Sequence, residues 1–571
     1  MPCLAFAAGV GVFLLAFGPA WLDPQYVQWL LRGDWSQHYL GWEAFRHDQW
    51  RWPPGYHAGV APPMGTTVVF TDSLPLLAIP LKALGGLLPS PFQYQGLWMA
   101  LSWGLQGLFA YLLLARISGD HWVSLAGSLL FILLPSLFFR IGHDTLVAQW
   151  LILAALYLYT FPFSGRAALA GLGLLALATL VHAYLLLMVL AIGGTWWLAN
   201  LPRQWQSGGF REKAGALVYP LVAMAWLLAI AYLAGYFVAG GGLAAPGFGT
   251  YSLNLNAFIN PMEVPWGFID PALVPDWSRL LPPLPRAHFN QYEGFNYLGL
   301  GVLLLVGAGL VLLAWRAWGR LRRRPPAGPA PAPGFPRAGY LVIPLGVLVG
   351  WALTNRVTWG DIVLFEYALP WPLSEPSIQS VFRSTGRLVW PLVLVALAGL
   401  ILYLSRRLPR KRLAVGLALL ALVQAVDQYP AWQSVRTAIA KPVAHPLKSA
   451  CWDQWIAHAE RVVILPARRH NDALVIDLGA RALPRGVTLN SFSLARFDPQ
   501  RAQRQEQAGL KELKQGGADN TLYVLEASIV ESLPHAMASR VRHVDGQAVI
   551  PPASAAASQS RIRCSGEQPT E

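Results

Sequence analysis

Long stretches without a single charged side chain limit what this chain can become. No Asp, Glu, Lys or Arg lies between Lys82 and Arg116, between Arg166 and Arg203, or between Lys213 and Glu263. Shorter charge-free runs separate Asp120 from Arg140, Asp144 from Arg166, Glu293 from Arg316, Arg337 from Arg356, and Arg387 from Arg406. A helix needs roughly 20 apolar residues to cross a hydrocarbon core, and most of these runs reach that length. One such helix can be the core of a soluble domain, but a whole series cannot. The expected architecture is an all-α polytopic membrane bundle of about eleven transmembrane helices.

A formal charge of +14 would also fit a nucleic-acid-binding protein. The cations are placed against that reading. They gather where apolar runs end: Arg203, Arg211 and Lys213; Arg316, Arg320, Arg322, Arg323 and Arg324; Arg406, Arg407, Arg410, Lys411 and Arg412. Short loops rich in Lys and Arg stay cytoplasmic, and anionic headgroups account for the excess charge. No nucleic-acid partner is expected. Alternation between these loops puts spans near 214–240, 296–315, 339–355, 388–405 and 413–428, preceded by a hairpin over 166–201 and spans near 94–116, 121–140 and 143–161. With residues 1–22 as the first span and a cytoplasmic N-terminus, Leu74–Leu88 must not cross. Pro75, Pro80 and Gly85-Gly86 mark it as a juxtamembrane or re-entrant helix. A cleaved signal peptide is the alternative for the first segment, which lacks the usual basic n-region.

The expected domains are a core over 1–240 with a first outer loop at 23–93, an outer loop at 241–295, further helices over 296–432, and a soluble domain over 433–571. A Pro-rich inner linker at 325–337 interrupts the third of these. In the last domain, apolar runs Val462–Leu465, Val487–Leu489 and Leu522–Leu525 read as strands, alternating with helical segments near 446–459, 499–515 and 526–537. That alternation predicts a small α/β domain, placed on the periplasmic side by the loop charges. No glycine-rich phosphate loop follows any of these strands, which argues against a nucleotide site. Cys451 and Cys564 fall in this domain, where an oxidising compartment permits a disulfide; two free thiols are the alternative. Cys3 lies in the first span.

Chemistry is most legible in the first outer loop, Gly33-Asp34-Trp35-Ser36-Gln37-His38-Tyr39-Leu40-Gly41-Trp42. As a helix it sets Asp34, His38 and Trp42 on one face. An interfacial helix with Asp34 as its N-cap would use the same residues structurally. The loop returns a second carboxylate at Asp72. Arg140-Ile141-Gly142-His143-Asp144 ends two spans, and His182 and Tyr184 line the next outer turn. Arg383 and Arg387 precede the span at Leu388 and would share a face if that segment is helical; a guanidinium fork suits phosphate. Glu293 and Asn296, with Asn254, Asn256 and Asn260 upstream, offer partners to sugar hydroxyls, and Trp266 and Trp277 offer faces to a pyranose ring.

The Asp soon after the first span, followed by Gln37-His38-Tyr39, Trp42 and Phe45-Arg46, and later by Pro63-Met64-Gly65 and Asp72-Ser73-Leu74-Pro75, resembles bacterial members of the GT-C superfamily. These are polytopic glycosyltransferases that draw sugar from a polyprenyl-phosphate carrier. The resemblance covers residues 1–240 best and does not reach the C-terminal domain. It implies a GT-C-like fold in the cytoplasmic membrane, a lipid-linked sugar donor, a cell-envelope acceptor, and Asp34 as catalytic base or metal ligand with Asp72 in support. A divalent ion, Mg or Mn, held by Asp34, Asp72 or His143, is compatible with it. Many members carry adjacent acids in this loop; here Trp35 follows Asp34, which weakens a two-carboxylate metal site. Rival readings are a glycolipid flippase, an envelope-glycan polymerase or ligase, and a non-catalytic assembly protein. Transporters bury acids at mid-membrane, and the apolar runs here contain none.

Overall fold

The computed structural model describes residues 1–238, 247–262, 277–322, 337–443, 445–468 and 472–558. The Pro-rich stretch 325–336, Trp266 and Cys564 lie outside them. Contacts divide the chain into two units: Met1–Leu22 with Gln95–Leu228 and Pro246–Ile439, and Asp23–Tyr94 with Ala229–Ala245 and Ala440–Glu571.

The first unit is helical. Across the described chain, seven helices are long and apolar enough to cross a membrane: Gln95–Ser118, His121–Gly142, Ala183–Gln206, Phe210–Ala234, Leu300–Trp318, Thr385–Ser405 and Arg410–Ala440. Four shorter apolar helices accompany them, Pro2–Phe17, Asp144–Tyr159, Gly165–Val181 and Ala338–Leu353. This is a membrane protein. The Leu74–Leu88 segment holds a nine-residue α-helix, Pro75–Ala83, followed by a single 3-10 turn at Gly85–Leu87. At 1.5 Å per residue such a helix covers about 14 Å, less than half of a hydrocarbon core.

Local chemistry ends the helices where the sequence changes. Asp120 caps the helix His121–Ile132 by accepting from Trp122 N and Val123 N at 2.9 and 2.8 Å. Ser164 accepts from Ala167 N at 3.3 Å, and His182 Nδ1 accepts from Tyr184 N at 3.1 Å. The break before Pro135 leaves the Leu133 carbonyl without a helical donor. Gln424 and Gln428, one turn apart on Arg410–Ala440, donate to it at 2.7 and 2.9 Å. Such a bond matters inside a bilayer, where no water offers itself to an orphan carbonyl.

The helices Pro2–Phe17 and Gln95–Ser118 approach as closely as backbones allow. A Cβ on Gly9 would sit 2.0 Å from the Trp103 carbonyl oxygen, and one on Gly107 would sit 2.2 Å from that of Ala5. Small residues at helix crossings supply close packing where lipid gives no hydrophobic drive.

The second unit combines the first loop with the C-terminal residues. Its sheet has five strands in the order Thr488–Leu489, Arg461–Leu465, Thr521–Leu525, Gln547–Ile550, Arg542–Val544. The first three run parallel and the last two antiparallel to their neighbours. The helices Ala473–Ala482 and Pro499–Lys514 are capped by Asp472 and Asp498. The helix expected near 526–537 is two short ones, Ala527–Glu531 and His535–Ala538, divided at Pro534. The two final strands were not expected from the sequence. Cys451 is disulfide-bonded and Cys3 is a free cysteine.

The first loop closes one edge of that sheet. Val60 bridges Leu489 in parallel, with Ala61 N donating to Leu489 O at 2.7 Å. Farther along, Ala495 N donates to Phe70 O at 2.8 Å. An open edge strand is a template for unwanted pairing, and residues 59–70 cover it.

Gly9→Ala should lower the thermal unfolding temperature in detergent, because overpacking costs about 1–3 kcal/mol. Gly11→Ala meets nothing within 4 Å and should leave it unchanged or raise it. Equal effects would remove the crossing from the argument.

Candidate functional site

In the first unit the polar residues converge on one buried ion cluster. The Arg140 Nη1 lies 2.7 Å from Glu293 Oε2, and its Nη2 donates to the Glu293 carbonyl at 2.7 Å. Arg387 Nη2 meets the same Oε2. All three side chains are largely buried, at 4%, 18% and 5% exposure for Arg140, Glu293 and Arg387. Burial alone would raise the Glu293 carboxyl, but Arg387 and then Arg140 override it and hold it at about 2. Two cations against one anion leave the cluster with a positive charge.

Two glycines make this meeting feasible. A Cβ on Gly386 would lie 2.5 Å from the Gly294 Cα, and one on Gly294 would lie 2.5 Å from the Ser252 carbonyl oxygen. Only bare backbone can approach so closely, and each glycine is the immediate neighbour of a charged residue of the cluster. Gly386 N also donates to Tyr251 O at 3.0 Å.

An aromatic chain leads away from the cations. The Arg387 guanidinium lies over the Tyr184 ring, 4.7 Å from its centroid. Tyr184 stacks on His182 at 5.5 Å, and His182 meets His143 edge to face at 5.4 Å. The Tyr184 hydroxyl accepts from Ser384 N at 2.7 Å, and His143 Nδ1 pairs with Thr145 Oγ1 at 3.1 Å. Thus His143, His182, Tyr184, Glu293 and Arg387, distant in sequence, occupy one neighbourhood. Asp144 is fully buried, and its carbonyl accepts from Trp98 Nε1 at 2.9 Å.

Several expected roles change here. Arg383 and Arg387 do not share a helical face: the helix Pro376–Val381 stops before them, and residues 382–384 are irregular. Arg383 instead lies over the Tyr251 ring at 5.9 Å. Glu293 is taken up by arginines rather than offered to a sugar. Asn296 donates to the Gly294 and Gly386 carbonyls at 2.8 and 3.3 Å, bracing the glycine crossing. Asn256 and Asn260 staple their own loop, donating to the carbonyls of Pro285 and Leu284, while Asn254 donates to the carbonyl of Gly360, outside that loop. Trp277 is 1% exposed and packs on Phe295, so it has no face for a sugar. Arg140, the second cation, was missed as a site residue. Its position three residues before His143, in the motif that ends two spans, is the available signal.

In the second unit the helix Gly33–His47 carries the loop acids' neighbourhood. Asp34 lies exposed in its first turn, where the helix dipole favours a carboxylate. The N-cap is Arg32, so Asp34 is not the cap. His38 and Trp42, one and two turns on, are fully buried. Trp42 Nε1 donates to Phe92 O at 3.0 Å, which makes it a core residue rather than a substrate platform. Asp72, with φ of 54°, adopts the left-handed backbone that Asp tolerates better than most residues. Its Oδ2 accepts from Gln37 Nε2 at 3.1 Å, while Gln37 Oε1 accepts from Ser493 Oγ at 2.9 Å. Burial first, and the nearby Asp72 charge second, push the Tyr236 hydroxyl well above its usual range. Ser493 carries no signal in the sequence, and Gln37 enters it only through the family resemblance, with no role of its own.

The donor set speaks for a nitrogen-preferring ion more than for Mg. Mg and Mn prefer oxygen ligands, whereas the His143–His182 pair offers imidazoles, which suit Zn, Cu, Fe or Ni better.

Removing the cluster's anion should be costly. Glu293→Ala strands two buried guanidiniums, and breaking a buried pair costs about 3–5 kcal/mol. The pH dependence has a definite sign. The folded carboxyl at about 2 lies below its ordinary 4.5, so its contribution is complete above that ordinary value and is lost as pH falls through the folded one. Thermal unfolding in detergent across that window should show an acid limb in the wild type that Glu293→Gln lacks. A shared limb would assign it to other groups.

A family model described as Domain of unknown function (DUF6311) matches residues 6–429, and another described as DUF6311 C-terminal domain matches residues 451–552. Among curated proteins, none matches the chain.

Proposed function

The chain belongs to the DUF6311 family, and from that premise we propose that it is a membrane glycosyltransferase of GT-C type, drawing sugar from a polyprenyl-phosphate donor. The observation that carries this reading is the Arg140–Glu293–Arg387 cluster. A positively charged pair of guanidiniums, desolvated and rigidly held, is suited to charge that develops on a leaving phosphate. Lipid-linked sugars present such a phosphate at the membrane surface. The eleven apolar helices would all cross, the four shorter ones by tilting little and thinning the bilayer locally. The three basic loops would then lie in the cytoplasm and the C-terminal domain in the periplasm.

The reaction is a displacement at the anomeric carbon. The acceptor oxygen forms the new bond to that carbon, the carbon–oxygen bond to the phosphate breaks, and polyprenyl phosphate leaves with the bonding pair. Asp34, exposed in its helix's first turn, takes the acceptor proton. Arg387 and Arg140 stabilise the departing phosphate, with Arg383 at the rim. Asp72, held by Gln37, orients the acceptor, and the C-terminal domain recognises it. The acceptor is a cell-envelope glycan or lipid on the outer face of the cytoplasmic membrane. Any divalent ion is accessory.

A second reading is favoured by the same cluster: a polymerase or ligase acting on a pyrophosphate-linked donor, with arginines as the main catalytic groups. The two separate at Asp34. Loss of a general base lowers transfer about 10²–10⁴-fold, so Asp34→Asn at wild-type abundance should abolish the envelope glycan product. Normal glycan would sink the displacement mechanism, and normal glycan with loss in Arg383→Ala would select the ligase. Reporter fusions after Trp432 and within 325–337 should give opposite signals; matching signals would overturn the topology.

A further inference from the structure

Between the apolar helix ending at Leu353 and the span beginning at Thr385, the chain forms a hairpin of Arg356–Trp359 and Ile362–Glu366. It is firmly held from one side. Gly360, with φ of 62°, makes the turn, and its N–H and carbonyl are both engaged by the buried Asn254 side chain, at 2.9 and 2.7 Å. The Thr358 hydroxyl bonds Gln291 at 3.0 Å, and Tyr367 closes the base through Asn355 O at 3.0 Å and Thr354 O at 3.2 Å.

The second strand departs from what a water-facing strand shows. Successive side chains of a strand point to opposite faces, so a strand exposed to water on one face alternates apolar with polar. Ile362, Val363, Leu364 and Phe365 are apolar without interruption, and all are exposed, by 61%, 37%, 50% and 55%. Tyr367 and Trp371 continue the exposure at 44% and 78%. Both faces therefore need an apolar surrounding. A protein partner docked on a strand buries one face, whereas lipid surrounds both.

We propose that this strand, with Tyr367 and Trp371 behind it, is seated in the interfacial layer of the bilayer and contacts lipid on both faces. Its two ends are tied to membrane helices, and the preceding helix itself exposes Val342, Ile343 and Val347 by 68%, 76% and 67%, as a lipid-facing helix does. Depth is set by opposing demands. The two-stranded sheet has an outer edge with no strand paired to it among the described residues, and unpaired backbone groups are excluded from hydrocarbon. The pair Arg356–Glu366, at 3.7 Å, and Asp361 likewise need headgroups or water. Trp and Tyr favour that same boundary. The hairpin anchors the segment that leads to Arg383 and Arg387 at headgroup depth. This inference does not depend on the proposed sugar transfer.

The test uses the full chain in lipid nanodiscs on a Cys3→Ser background, with Leu364→Cys and Phe365→Cys spin-labelled singly. Val347→Cys serves as the lipid reference and Gln507→Cys as the water reference. Collision with oxygen should be high, and collision with a water-soluble nickel chelate low, at both hairpin positions, shifted toward Val347. Values matching Gln507 would overturn the proposal, since they mean water. Exclusion of both reagents would overturn it as well, since it means a protein cover. Both positions are surface-exposed, so the substitutions do not disturb the core. Glycan synthesis in unlabelled cells reads the enzymatic proposal separately.

Discussion

A carboxylate clasped by two guanidiniums, where two glycine backbones touch, ties the helical unit together. Arg140 comes from the end of one span, Glu293 from the close of a long loop, and Arg387 from the start of another span. Removing charges from water costs several kcal/mol per ion, and only close, hydrogen-bonded geometry returns it. The Gly294–Gly386 approach supplies that geometry. Tyr184, His182 and the Asn296 brace all take their positions from the same junction. Stability comes from this arrangement, and the proposed role at a leaving phosphate would draw on the same one. The surplus positive charge separates it from a plain structural pair.

The second unit solves a different problem. A small mixed sheet has a parallel edge to protect, and the polypeptide that covers it is the loop bearing Asp34 and Asp72. Gln37 links Asp72 to Ser493 of the C-terminal residues, so one acid of the loop is oriented by a domain hundreds of residues away. The loop's Trp42, buried and bonded to Phe92 O, fixes the helix that presents Asp34 at the surface.

Helices and strands were largely legible because their signals are local. Charge-free runs mark the spans, Asp120, Ser164 and His182 mark helix starts through their own side chains, and Val462–Leu465 and Leu522–Leu525 read as strands from composition. The last two strands escaped because their residues, Arg542–Val544 and Gln547–Ile550, are short and partly polar, and pairing alone makes them strands. The site was half legible. His143, His182, Tyr184, Glu293 and Arg387 were picked singly by residue type, but nothing in their spacing joined them. Arg140 is legible only as part of the motif that ends two spans, because a guanidinium carries no mark of its partner, and the shared helical face of Arg383 and Arg387 required a helix that residues 382–384 do not form.

What the amino-acid order determined unaided is the solvent the helices require: a series of charge-free runs such as the one between Arg387 and Arg406 can be satisfied only by lipid, by transfer free energy alone. What only the tertiary structure decided is which charges meet. Coulomb attraction at 2.7 Å depends on backbones brought into contact at Gly294 and Gly386, and a contact between residues so far apart along the chain is a property of packing, not of sequence spacing.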